Sequence, residues 1–90
     1  MSSSAATADE RVLDVAFSDD ALSVSLRDGR VITVPLVRYS RLLNATHAQR
    51  NKWKIAGGGY GIHWPELDED LSTEGLLRGA PAPKSHARAR

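Results

Sequence analysis

Residues 53–72 read WKIAGGGYGIHWPELDEDLS and gather most of the side chains in this chain that could do chemistry. His63 closely precedes Asp68 and Asp70, and a histidine with two carboxylates is a ligand set for a divalent cation. Glu66, Asp68, Glu69 and Asp70 could instead pair as acid and base for proton transfer or glycosidic cleavage. The run Gly57, Gly58, Gly59, with Gly61 nearby, invites comparison with a phosphate-cradling loop. Each chemistry has a requirement that the spacing does not meet. A cation site on His63 has no second histidine placed to help; the alternative is a structural histidine that hydrogen-bonds an acidic side chain and fixes the WPELDED loop. Paired carboxylates need a pocket, which a domain this small rarely forms. A phosphate loop needs a helix directly after its glycines, because the free N–H groups of a helix start hold the anion. Here the alternation of Tyr60, Ile62 and Trp64 predicts a strand, and no Gly-Lys-Ser/Thr follows. The glycines then read as a hairpin that needs positive φ, and Gly61 as a strand position closely approached by backbone or by an aromatic ring. The chain has no cysteine nucleophile and no Gly-x-Ser-x-Gly. No cofactor and no metal are expected.

The elements that must position these residues follow from periodicity. Leu13, Val15 and Phe17 share one face of a strand, and Leu22, Val24 and Leu26 share one face of the next. A loop at 18–21 pairs Leu13 with Leu26, Val15 with Val24 and Phe17 with Leu22. A two-residue turn at Asp28-Gly29 would put Ile32 and Val34 in water. A three-residue turn, Arg27-Asp28-Gly29 with Gly29 left-handed, pairs Val24 with Ile32 and Leu22 with Val34, and keeps one apolar face. Pro35 ends that strand. Leu36, Tyr39, Leu42 and Leu43 recur at helical spacing up to Asn44, and Thr46 to Gln49 fits a capping box that opens a short helix over 47–52. WKIA and YGIHW are strands on either side of the glycines. Pro65 ends the second, and ELDED is a loop or helical turn. Asp70 or Ser72 caps a last helix with Leu71, Leu76 and Leu77 on its apolar side and Gly79 as its stop. The expected fold is α+β: a three-stranded antiparallel meander plus a hairpin, packed with two to three short helices. Residues 11–79 form the domain, 1–10 a disordered head and 80–90 a flexible basic tail.

Ninety residues allow one domain with a modest core, so a partner protein or a homodimer would add useful stability. The absence of cysteine suits the cytosol, and the opening MSSSAATADE has neither the basic nor the apolar region of a secretory signal. No apolar run approaches the roughly 20 residues of a membrane span. A cytoplasmic protein with no membrane contact is expected. Net charge is +1, but it is unevenly spread. Arg27, Arg30, Arg38, Arg41, Arg50, Lys52 and Lys54 face only Asp28 across residues 27–54, whereas Glu66, Asp68, Glu69, Asp70 and Glu74 are unrelieved by any base. Such asymmetry either steers a partner or is a solvated face.

The stretches LRDGRVITVPL, YSRLLNAT, QRNKWKI and above all GYGIHWPELDEDLS resemble the bacterial family known as domain of unknown function 2442, over about residues 12–79. That resemblance implies a small α+β fold. It also implies an antitoxin-like or regulatory role, since genes of the family often lie beside a second small family suspected to be toxins. Some relatives carry an added helix-turn-helix domain, for which residues 1–90 leave no room.

The function expected is a non-enzymatic protein-binding module acting on a co-encoded protein. The alternatives are a nucleic-acid-associated component of a transcriptional regulator and a small, phage-borne inhibitor of a nucleic-acid enzyme. The residues singled out for the partner face are His63, Trp64, Glu66, Asp68, Glu69 and Asp70, with Arg38 and Arg41 as the basic alternative. Trp53 and Trp64 read as core anchors or, at the surface, as hot spots. The acidic residues are expected to tolerate charge reversal at Glu66 and Glu69 without loss of stability.

Overall fold

Strand β1 (Val12–Phe17), strand β2 (Ala21–Leu26) and strand β3 (Val31–Pro35) form an antiparallel sheet in that order in the computed structural model, which describes residues 8–79. Leu22 and Val24 stand opposite Phe17 and Val15 on one side and Val34 and Ile32 on the other, as the apolar alternation requires. The turn that sets this register is Arg27-Asp28-Gly29. Gly29 N–H donates to Leu26 O at 3.0 Å, Leu26 N–H donates to Arg30 O at 2.8 Å, and Gly29 has φ 98°. A left-handed glycine closes a three-residue hairpin with a bulge and keeps all three apolar stripes on one face.

One expected pair is corrected. Val12, not Leu13, faces Leu26, because a bulge between Val12 and Asp14 shifts the register. Val12 turns into the core at 1% exposure and Leu13 is left 55% exposed. The chain before the bulge is tied to the hairpin turn: Arg27 N–H donates to Arg11 O at 2.9 Å and Asp28 N–H to Asp9 O at 3.2 Å. Asp9 and Glu10, assigned above to a disordered head, are therefore part of the fold. Residues 1–7 of that head and the tail 80–90 lie outside the described residues.

The same corner carries two tightly bonded carboxylates. Arg30 Nε donates to Asp28 at 3.0 Å, its backbone N–H donates at 3.1 Å, and Asp9 N–H adds a third bond at 3.0 Å. Arg11 grips Asp9 through Nε and Nη2 at 2.9 and 2.8 Å. These arginine hydrogen bonds hold both carboxyls down to about 2, from an ordinary 3.8. A depressed carboxyl stabilises the fold above its unfolded pKa and loses that contribution as pH falls through its folded one. The melting temperature is therefore expected to fall steadily from about pH 4 to pH 2, and Asp28→Asn to make the fall shallower. Thermal unfolding of both proteins across that range checks this; identical slopes would remove these carboxylates from the acid limb.

After Pro35 the chain makes a single 3-10 turn, Leu36–Arg38, then helix α1 (Ser40–Leu43). The one helix expected over this stretch is broken at Tyr39, whose φ −131° and ψ 85° lie outside the helical region. Leu36, Tyr39 and Leu42 all still reach the core. Helix α2 (His47–Arg50) starts on the expected capping box: Thr46 Oγ1 accepts from Gln49 N–H at 3.1 Å and Gln49 Oε1 accepts from Thr46 N–H at 2.9 Å. Such a cap contributes about 1 kcal/mol.

Strand β4 (Lys54–Ala56) and strand β5 (Gly61–Trp64) are joined by the glycines, with φ 59°, 69° and 104° at Gly57, Gly58 and Gly59. A Cβ on Gly61 would meet Leu71 O at 3.4 Å and Ala56 O at 3.5 Å, so the close approach there is by backbone. The expected hairpin gains a third strand. Residues 65–68 alone form the turn, and β6 (Glu69–Ser72) pairs with β5 in the order β4-β5-β6. Ser72 then caps helix α3 (Thr73–Arg78), accepting from Gly75 N–H at 3.0 Å, and left-handed Gly79 ends it. The fold is α+β, and the described residues form two three-stranded antiparallel sheets and three short α-helices. One core joins them: Val15, Leu22 and Val24 from the first sheet, Leu36 and Leu42 from the helices, and Ile62, Trp64 and Leu71 from the second sheet. Phe17 meets Trp64 edge-on, with ring centroids 6.3 Å apart, where the sheets touch.

Candidate functional site: the outer face of the second sheet

The period of two sorts the acidic residues to opposite sides. On β6, Glu69 and Leu71 stand opposite Trp64 and Ile62 and point into the core, while Asp70 pairs with His63 on the outer face. His63 Nδ1–H donates to Asp70 Oδ1 at 2.6 Å, the structural role anticipated for this histidine. Lys54 completes that row across β4 and Ala56, Gly61 and Ser72 form the next row. Among the described residues, no three His, Asp or Glu side chains converge as a metal cage.

Two residues expected at a partner surface are inside, and that expectation is corrected. Trp64 is fully buried, and its Nε1–H donates to Arg50 O at 3.0 Å. Glu69 is 4% exposed, and its Oε2 has no hydrogen-bond partner among the described residues. Burial pushes the Glu69 carboxyl up; Arg41 opposes the shift, and Asp70 and Asp68 add to it. Tyr39 is raised by the same burial, eased by Arg38 and reinforced by Glu69.

The other two acidic positions remain outside. Glu66 accepts from Lys52 Nζ at 2.9 Å. Asp68 is 84% exposed in a left-handed conformation, φ 52°, which aspartate tolerates better than most residues. Arg41 Nη1 donates to the backbone carbonyl of Asp68 and lies 3.9 Å from its carboxylate. Arg38 donates to Gly79 O at the end of α3. Arg50, buried, donates through Nε to Leu42 O at 2.8 Å and through Nη2 to Leu43 O at 3.0 Å, and sits 5.7 Å from the Phe17 ring centre. The basic stretch is thus used largely to tie helices to the acidic turn and to the ends of their neighbours.

The profile of the family described as "Protein of unknown function (DUF2442)" matches residues 12–82. The chain belongs to DUF2442. A protein of unknown function from Rhodospirillum rubrum ATCC 11170, whose crystal structure is solved, is similar to this DUF2442 chain at 30% identity and a TM-score of 0.69, over 87% of this chain and 96% of that one. An uncharacterized protein from Chromobacterium violaceum, solved by NMR, shares the fold at 23% identity and a TM-score of 0.70, over 81% of this chain and 69% of that one. No functionally curated protein matches the chain.

Two features of this DUF2442 chain escape a reading of the sequence by motif. Tyr60 is 51% exposed instead of facing inward with Ile62 and Trp64. An open depression of about 460 Å³ lies against it, bordered by Ala56, Gly61, Asp70 and Ser72 on the outer sheet face. The signal for it was the pair of small residues at Ala56 and Gly61, which leave little side-chain bulk on that part of the sheet face.

Proposed function

We propose that the protein is a non-enzymatic protein-binding module, an antitoxin-like or regulatory partner of a co-encoded protein. Its contact face is the outer side of the second sheet with the 65–68 turn. One observation carries this reading. Tyr60, half exposed, and the exposed carboxylate of Asp70 line one depression on the outer face of the second sheet. Its backbone is pinned on both sides: its N–H donates to Gly57 O at 3.2 Å, and its carbonyl accepts from Thr73 N–H at 2.9 Å. An aromatic ring on a rigid backbone contributes contact area at low entropic cost, which is the character of an interface anchor. The carboxylates support binding over acid–base work, because Glu69 points inward, Asp70 outward, and Glu66 and Asp68 toward Lys52 and Arg41. The gene neighbourhood implied by the family supports a co-encoded partner. Arg38, Arg41, Arg50 and Lys52 have structural work already, so the basic stretch lends less to a nucleic-acid reading.

The experiment is co-expression with the product of the adjacent gene. A stoichiometric complex is expected on size exclusion. Asp68→Asn with Asp70→Asn should weaken it at least tenfold, about 1.4 kcal/mol, with the melting temperature of the free protein nearly unchanged. The loss should shrink at high salt, as exposed charges are screened. Equal affinity for wild type and double variant, or no complex at all, would reject the proposal.

A further inference from the structure

The outer-face depression has the shape and charge for one kind of side chain, and we infer that it receives an arginine presented by the protein partner. This rests on the protein-binding reading and adds the chemistry of recognition to it. The floor is flat and bare, because Ala56 and Gly61 face each other across β4 and β5. Tyr60 supplies an exposed aromatic wall. Asp70, 68% exposed, supplies the charge. His63 fixes that carboxylate by one oxygen, and its Oδ2 has no hydrogen-bond partner among the described residues. Among the described residues no basic side chain lines the depression, and Lys54 stands at the opposite edge of the sheet from Asp70. The formal charge of the lining is therefore negative, and its complement is a cation.

Arginine meets all three parts at once. Its planar guanidinium stacks on an aromatic face, its stem covers apolar floor, and its N–H fork matches a carboxylate. An uncharged aromatic side chain would bury the second carboxylate oxygen of Asp70 without a donor, which is unfavourable. A lysine would meet the charge as a point but lacks the plane that a tyrosine ring stacks against.

The test is an amide NMR titration of the full-length, isotope-labelled chain with the blocked tripeptide acetyl-Ala-Arg-Ala-amide. Its lysine and citrulline counterparts serve as controls. Saturable shifts are expected at Ala56, Gly61, Asp70 and Ser72 with the arginine peptide. The lysine peptide should bind several-fold more weakly and the citrulline peptide at least tenfold more weakly. Asp70→Asn keeps an acceptor for His63, and Tyr60→Ala removes an exposed ring; each should weaken the arginine peptide at least tenfold with the spectrum otherwise native. Equal shifts with citrulline, shifts confined to Glu66–Asp68, or no saturation at millimolar peptide would overturn the inference. If the peptide fails while the co-encoded protein still binds and depends on Asp68 and Asp70, the arginine assignment falls and the binding module stands.

Discussion

Trp64→Ala is expected to destabilise the domain by about 3–5 kcal/mol, the usual cost of emptying a buried tryptophan site. Trp64 is fully buried where the sheets meet, edge-on to Phe17, and its indole N–H satisfies Arg50 O. Removing it opens a cavity and leaves a buried carbonyl unpaired. At roughly 4 °C per kcal/mol for a domain of this size, the melting temperature should fall by about 12 °C or more. Trp64→Phe separates the two effects: the ring volume is largely kept, and the orphaned carbonyl costs about 1–3 kcal/mol. Thermal and urea unfolding measure both. A loss below about 1 kcal/mol for the alanine variant would mean that the second sheet does not depend on this anchor, against the usual cost of such a truncation.

Glu69 gives the second large effect, and its sign depends on the substitution. Glu69→Lys places a cation in a buried site beside Arg41 and should cost about 3–5 kcal/mol, the range for an uncompensated buried charge. This reverses the expectation that Glu66 and Glu69 both tolerate charge reversal; only Glu66 lies outside. Glu69→Gln should behave oppositely. Burial raises the Glu69 carboxyl above its ordinary 4.5, so the folded state holds this proton more tightly than the unfolded state does. The protonated form favours folding, and that contribution is lost as pH rises through the folded pKa. At pH 7 the amide should therefore match or exceed wild type, and the difference should vanish below about pH 4. Unfolding at both pH values checks this. A glutamine variant clearly less stable at pH 7 would show that Arg41 requires the anion more than burial opposes it.

Where hydrophobic period and turn chemistry spoke together, the fold was legible. Gly29 decided a register that apolar alternation alone left between two turns. Thr46 and Gln49 announced a helix only four residues long. The third strand of the second sheet was not legible, because Glu69-Asp70-Leu71-Ser72 has a single apolar residue and acidic residues favour loops. Its alternation is real but is written in Glu69 and Leu71 against Asp70 and Ser72, and a buried glutamate disguises the inward face. The bulge at Leu13 was hidden for a different reason: it depends on Asp9 and Arg11 binding the distant Asp28 turn. Arg50 reads as one more surface base, yet it caps α1 from inside. The candidate site was half legible. His63 and Asp70 were paired by the sheet as their chemistry suggested, whereas the depression beside Tyr60 exists only once β6 is in place.

Whether the outer face of the second sheet is the working surface is most directly measured by amide NMR mapping of the labelled protein in complex with its co-encoded partner. The account predicts that the largest perturbations fall on Tyr60, Gly61, His63, Asp70 and Ser72, extending to Asp68. Perturbations confined to the first sheet, or to α1 and α2 around Arg38 and Arg41 with the second sheet silent, would contradict it.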